Sequence, residues 1–575
     1  MVSPNLIRSQ EKLEPIEINE NTKKLFQIIY SEQIPKDEKD DGVPKIKVSS
    51  LVSRLAFFYE KVRNAVDYEE EHLLRKNAIA RILRRQVVIE GVVKEIDSEY
   101  LANHLLVELI RGSYLPNNKI PEAKIKEIAL LLEKYVKLKN NFVAKINASL
   151  NLKTDINQAK DLINEKNSLI NWLLHLAACE IEENLSPNKV KQIIVGSMFD
   201  VLAKNIKLPE GSPYEKDLEI QIYLSISRKF LKFDEDMLSF ILFKYYNKSW
   251  LEISRADVLS EEEDKKIKNI ASHFHELHSL TKGQINHPVA KQIDQIVRLY
   301  SLYFNVLSET IENDPVRVYS ELQENGKTFV KQVRKICNNK YGKAKSKLWR
   351  AALRSIVYIF LTKSIFVFLI EVPAIKWFNE PLNIMSLTIN VIFPAFLLFL
   401  IVFTTRRPGH ENTDKIVEGI KEIAFVGEEK KQPIIIRPKT RRNVIVNGIF
   451  HLIYTASFCV SIYLVIKALS FIGFNWVSIT IFLFFLAFVS FFSILVTRGI
   501  KELMVIERKE NLFTFFIDLF YMPIILVGRW LSKNVSKVNI FIFIFDFIIE
   551  APFKILVEIA EDWTKYVRER RDNME

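Results

Sequence analysis

"KQVRKICNNKYGKAKSKLWRAALRSIVYIFLTKSIFVFLIEVPAIKW", residues 331–377, changes its solvent halfway along. Up to Arg354 it carries nine Lys or Arg and no acid; from Ser355 its only charges are Lys363, Glu371 and Lys376. About 20 apolar residues at helical rise cross about 30 Å of hydrocarbon, so Ser355 to Trp377 reads as a transmembrane helix. A solvated helix normally mixes acids with its bases. A purely basic run just before a span instead fixes the cytoplasmic side and faces anionic headgroups. The expected headgroup residues are Lys331, Arg334, Lys335, Lys340, Lys343, Lys345, Lys347, Arg350 and Arg354.

Toward the C-terminus the pattern repeats. Apolar runs from Met385 to Thr404, Val444 to Ile466 and Trp476 to Thr497 are each long enough to span. The connections "KWFNEPLN" and "FIGFN" are short, whereas the one from Thr405 to Asn443 is long and basic. Every long basic connection thus lies on the side of the N-terminal part, which predicts four crossings with both termini cytoplasmic. Residues 512–527 and 540–559 would make six, but Arg529, Lys533 and Lys537 between them would then face the wrong side. In the second segment Asp546, Glu550, Lys554 and Glu558 recur every fourth residue around Pro552. That pattern suits an amphipathic helix dipping into the bilayer and out again.

An ionisable residue at a helix centre costs about 2.5–3.5 kcal/mol on insertion scales, which marks it as a functional candidate. Lys363, nine residues beyond Arg354, lies near mid-membrane. Glu371, eight residues on, falls about 80° around a regular helix. Asp518, Asp546 or Glu550 from the last hairpin are therefore the expected partners.

The N-terminal part has a different character. A chain of 575 residues exceeds one hydrophobic core. Residues 1–47 are polar, with a short helix near Thr22 to Tyr30, and lack the apolar core of a secretory signal. Helices are expected over Ser50 to Glu90 without a break, then Ser98 to Arg111, Glu122 to Leu150, Asp155 to Glu183, Pro187 to Ile206, Tyr214 to Phe233, Asp234 to Tyr246, Ser260 to Leu280, Ala290 to Glu312 and Val316 to Asn339. The fold class is therefore all-α: a large cytoplasmic helical domain, an irregular bundle or solenoid, followed by a polytopic membrane domain.

Several chemistries lack the residue patterns they need. Fifteen glycines form no GxGxxG, and "ENGKTF" has Glu321 where a P-loop needs glycine. Cys179, Cys337 and Cys459 are far apart, without metal or disulfide spacing. Glu69 and His72 form one ExxH, but a carboxylate-bridged metal pair needs two. His273, His275 and His278 cluster in "SHFHELH", a weak metal candidate that lacks the HExxH of zinc proteases. Acidic residues interleave with "RILRR" and the other bases, which disfavours nucleic acid.

The expected map is a tail to residue 47, a helical domain over 48–330, a basic juxtamembrane segment over 331–354, transmembrane hairpins over 355–404 and 444–497 around a basic loop of 405–443, and an embedded hairpin and tail over 498–575. No cofactor or catalytic set is expected. The function expected is a membrane-anchored scaffold or adaptor, possible as a homo-oligomer, held at anionic lipid with a cytoplasmic protein partner. The alternative is an oligomeric channel or transporter with a polar path near Lys363 and the acidic stripe.

Overall fold

The structure, a computed structural model, describes residues 18–34, 43–64, 70–90, 97–151, 156–324, 326–426, 433–438, 444–506 and 511–537, with isolated positions beyond 558. By internal contacts the chain forms two units, one of Glu32–Val297, Pro433–Pro438 and Ile540–Glu575, the other of Met1–Ser31, Arg298–Gln432 and Lys439–Asn539. The described residues are overwhelmingly helical. Helices α1 (Glu20–Gln33), α2 (Ser50–Asn64), α3 (Glu71–Glu90), α4 (Ser98–Arg111), α5 (Ala123–Asn151), α6 (Ile156–Leu185), α7 (Lys189–Asn205), α8 (Leu218–Lys229), α9 (Glu235–Tyr246), α10 (Lys248–Arg255), α11 (Glu261–Ser272), α12 (Phe274–Ile285) and α13 (Ala290–Asn313) lead to α14 (Pro315–Glu324).

In the first unit, local chemistry starts the helices where the sequence says it should. Asp97 caps α4 by accepting from the Glu99 and Tyr100 amides at 2.9 and 3.4 Å. Ser260 and Glu263 form a capping box at α11. The core runs through α3, α4, α5, α6 and α9–α12, with Leu105, Leu138, Leu176, Ile181, Phe243 and Trp250 among its buried residues. Ion pairs are sunk into it. Arg75 grips Glu182 with two bonds of 2.6 and 2.7 Å, and Lys76 reaches Asp234 and Asp236 at 2.5 and 2.8 Å. Burial opposes the charge on Lys76, yet the two aspartates outweigh it and hold the ammonium above its ordinary range. Burial likewise opposes ionisation of Asp236, but His175 and Lys76 hold that carboxyl below its usual range. Such pairs contribute little net stability but punish loss of one partner. The single β-ladder among the described residues is β1 (Ile206–Lys207) parallel to β2 (Ile434–Ile435).

Two of the helices expected in the first unit are divided. The stretch Ser50 to Glu90 forms α2 and α3, with Glu70 outside both and its carbonyl accepting from Leu73 and Leu74 to open α3. Ser260 to Leu280 breaks at His273, where α11 ends and α12 begins. At His273 the break lets Ile270 of α11 and Phe274 and Leu277 of α12 share one core, a tertiary demand that periodicity alone does not contain.

The second unit holds the apolar helices. α15 (Gly326–Phe366) continues through a π-helical segment, Val367–Glu371, into α16 (Val372–Trp377). The juxtamembrane run and first span are thus one rod, about 60 Å long in α15 alone. α17 (Ile384–Thr404), α18 (His410–Ala424), α19 (Val444–Phe471), α20 (Trp476–Lys501) and α21 (Leu512–Lys537) complete the unit. The helices Thr328–Trp377, Ile384–Thr404, Ile445–Phe471 and Trp476–Lys501 are long and apolar enough to cross a membrane. They present Trp377, Ile384, Phe471 and Phe368 outward at 74–94 % exposure, an apolar exterior that water would not tolerate over such an area. Four such helices fit a multi-pass α-helical membrane protein. α20 is the most enclosed of the four, with 39 % of its apolar window buried against 11 % for α19, so it forms the centre.

α21 packs on α19 and α20 at a proline. Pro523 donates no hydrogen bond to the Leu519 carbonyl one turn back. Ser457 Oγ of α19 supplies it at 2.8 Å, and Ser461 Oγ donates to Phe520 O at 3.0 Å. Gly528 of α21 lies so near α20 that a Cβ there would stand 1.9 Å from the Ala487 carbonyl oxygen. The basic connection before α19 contains α18, whose Ile416, Ile420 and Ile423 are buried, and Gly419 lies under the Tyr303 ring of α13. Residues 540–558, with Asp546 and Glu550, lie outside the described residues.

Candidate functional site: a buried ion pair among the apolar helices

Lys363 and Glu371 are the charges that the bilayer should least tolerate, and both side chains are wholly buried. Their separation is 3.8 Å between Nζ and Oε2. Of the partners expected from the last hairpin, Asp518 is exposed, while Asp546 and Glu550 lie outside the described residues; among the described residues Glu371, set aside for its angular offset, is the carboxylate that meets Lys363. The reason lies in the helix between the pair. In the π segment the Val372 amide donates to the Val367 carbonyl, five residues back rather than four. One residue is thereby accommodated without advancing the helix, which sets the phase back by about 100° and turns the expected offset of about 80° into about −20°. Lys363 and Glu371 then share a face. Pro373, which follows, gives the widening a cause: it leaves the Leu369 carbonyl without a donor and its ring presses on that oxygen, a strain that π geometry relieves.

Neighbouring helices complete the site. Asn390 Nδ2 of α17 donates to Glu371 Oε1 at 2.5 Å and to the Ser478 carbonyl at 3.2 Å. Ser478 Oγ, in the first turn of α20, donates to the same Glu371 oxygen at 2.8 Å. Asn475 caps that turn by accepting from the Ser478 amide at 2.8 Å. Lys363 Nζ has no hydrogen-bond acceptor among the described residues but sits 3.8 Å from the Phe485 ring centroid and 5.3 Å from that of Phe366. A cation over two ring faces is held by their quadrupoles, worth about 2 kcal/mol when desolvated. The carboxylate thus has donors and the ammonium has rings, while Glu371 Oε2, Lys363 Nζ and Asn390 Oδ1 keep unused hydrogen-bonding capacity.

Asn390, Ser478 and Phe485 were not singled out from the sequence. Asn390 had a readable signal, as an amide in "IMSLTINVIFPAFLLFL" has no reason to be there without a partner. The Phe485 role had none in a chain with 40 phenylalanines.

The other candidates disperse. His273 Nδ1 lies 2.8 Å from Ser272 Oγ, His275 Nε2 is 3.4 Å from Glu165, and the His278 ring packs 4.8 Å from Trp172. Burial lowers His278 to about 4, with Lys282 and His275 adding to the shift, so it is neutral at pH 7. Among the described residues no three His, Cys, Asp or Glu side chains are placed to hold a metal. His72 packs on Phe233 with its pKa lowered by burial and by Lys191, and Glu69 is not among the described residues. Of the nine headgroup candidates, Lys340 is ion-paired with Glu309 and Arg334 with Asp414 at 2.9 Å; the others stand exposed. No family model, curated protein or solved structure matches the chain.

Proposed function

We propose that this membrane protein is a scaffold or adaptor: its apolar helices anchor a helical domain whose surface recruits a cytoplasmic partner. The observation that carries the reading is the closure of the polar cluster on itself. Lys363 and Glu371 have no exposure, Asn390 and Ser478 bond to Glu371, and Phe485 covers Lys363, so the charges fasten α15, α16, α17 and α20 together. A conduit needs polar groups open to water along its length. The first unit supports the same reading through its deep core and internal ion pairs, which give a fixed shape suited to presenting a surface. The positive-inside bias of the connections supports a cytoplasmic position for both termini within this reading.

One observation favours a channel or transporter instead. Ser490, Ser493 and Thr497 line a buried polar strip along α20, and the Lys363 cluster has unused hydrogen-bonding capacity. Reconstitution of the full chain in liposomes tests the choice. A scaffold gives ion flux equal to empty liposomes for both the wild type and Lys363→Leu. A wild-type flux that Lys363→Leu abolishes overturns the reading in favour of the conduit.

A further inference from the structure

One face of α15 changes character without a break in the helix. Lys343, Lys347, Arg350 and Arg354 follow one another at spacings of four, three and four, an arc of about 60° at helical pitch. All four are exposed, and no ion pair to any of them occurs among the described residues. Continuing along the same face, over a wider arc of about 100°, Val357, Tyr358, Leu361, Ile365 and Phe368 are exposed by 51–74 %. Water suits the first stretch and hydrocarbon the second, and no bend separates them.

The ends of two other apolar helices meet α15 at this level. Leu348 and Ala352 of α15 share a buried cluster with Leu398 and Val402 of α17 and with Val489 and Ile500 of α20. Just past the end of α17 stand Arg406 and Arg407, and in the last turn of α20 stands Arg498, all exposed, the last bonded to Glu502. The Trp349 ring, itself part exposed, packs against Phe399 with centroids 6.3 Å apart, an aromatic at the depth where interfacial belts form.

We propose that the stripe Lys343–Lys347–Arg350–Arg354 is a binding surface for the phosphates of anionic phospholipids, and that it sets the headgroup plane on this side between Arg354 and Val357. The inference rests on the membrane-anchored reading and adds a lipid class to it. Phosphate meets the requirements of the surface on three counts. It is anionic where the stripe has four cations and α15 no acid, it lies at the one depth where a helix face can pass from cationic to apolar, and it can accept from guanidinium forks while acyl chains cover the apolar stretch. A soluble acidic peptide would satisfy the charge alone and would leave Val357, Tyr358 and Leu361 without cover.

The test uses the full chain in mild detergent with equal amounts of a phosphatidylglycerol and a phosphatidylcholine of matched chains, the bound lipid being counted by native mass spectrometry. A cation near an anionic surface is worth roughly a five-fold change in affinity. The wild type is expected to retain the anionic lipid at least about ten-fold over the zwitterionic one, and the preference should weaken as salt shortens the Debye length. In K343Q/K347Q/R350Q/R354Q the preference should fall toward parity while total bound lipid is unchanged. Equal preference in wild type and variant, or no preference in the wild type, overturns the proposal. Resistance of the chain to alkaline extraction from vesicles reports separately on anchoring: extraction of both proteins would refute the membrane reading itself, whereas retention without lipid preference would refute only the stripe. K331Q/K335Q/K345Q, which removes three exposed cations off the stripe, should keep the preference within about two-fold; a loss as large as that of the stripe variant would also overturn it.

Discussion

Replacing Lys363 and Glu371 singly and together distinguishes a fastening from a group with another task. In Lys363→Met the carboxylate keeps the bonds from Asn390 and Ser478 but loses its cation, and breaking a buried pair in this way costs about 3 kcal/mol. Glu371→Leu is worse. It strands the ammonium with only the rings of Phe485 and Phe366, and it leaves the Asn390 and Ser478 donors unpaired, for a total of about 4–5 kcal/mol. In Lys363→Met/Glu371→Leu no charge remains buried, Met and Leu fill comparable volume, and only the two polar donors are unmet, so the loss shrinks to about 1–2 kcal/mol. Equilibrium unfolding of the purified full chain in mixed micelles, followed by helicity, measures all four proteins. A coupling energy of about 3 kcal/mol or more supports the account. Additive losses, or a Lys363→Met cost under about 1 kcal/mol, would show that the ion pair does not hold these helices.

Three further outcomes can be measured on the same preparation. Gly528→Ala drives a methyl into the Ala487 carbonyl and should destabilise the α20–α21 contact by about 1–3 kcal/mol, whereas Gly448→Ala, with open space around it, should be near neutral; equal effects would refute the close approach. Ser457→Ala should cost about 1 kcal/mol in the wild type but less in Pro523→Ala, where a backbone amide again serves Leu519; an unchanged cost would mean that the serine does not answer the proline. His278 is held below its ordinary pKa by burial, so its neutral form stabilises the fold fully above about 6.5, and that contribution is lost as pH falls toward about 4. Unfolding curves across that window should flatten by about 1–2 kcal/mol in His278→Phe, and parallel curves would refute the assignment; His72 and His287 are shifted in the same direction by burial and are present in both proteins, so the difference between the two is the diagnostic quantity.

Much of the architecture was written in local chemistry. Asp97 announces α4 to the residue, and apolar runs beginning after Asn383 and Asn475 open α17 and α20, because an Asx cap before a periodic apolar run acts on its own neighbours. α18 is legible too, since Ile416, Ile420 and Ile423 keep helical spacing beneath the many charges of that connection. Other features are not local. The pairing of Ile206 with Ile434 joins two-residue strands more than two hundred positions apart and leaves no periodic trace. The π segment has a cue only in hindsight, in Pro373, and the missed partnership of Lys363 with Glu371 followed from assuming a regular helix through it.

That segment also says something about length. Because one residue there adds no net rotation, phase and residue count are uncoupled between Lys363 and Glu371. Removing Phe368 or Leu369, both exposed, would place the pair seven residues apart on a regular helix, still within about 20° of one face. With Pro373→Ala to spare that regular turn a clash, such a deletion should leave the pair together, while removal of one residue between Asn390 and Leu398 of α17 should turn the two ends of that helix against each other by about 100°. The first span therefore has a point at which, once Pro373 is relieved, the chain can shorten by one residue without parting the pair it holds, a seam in the helix.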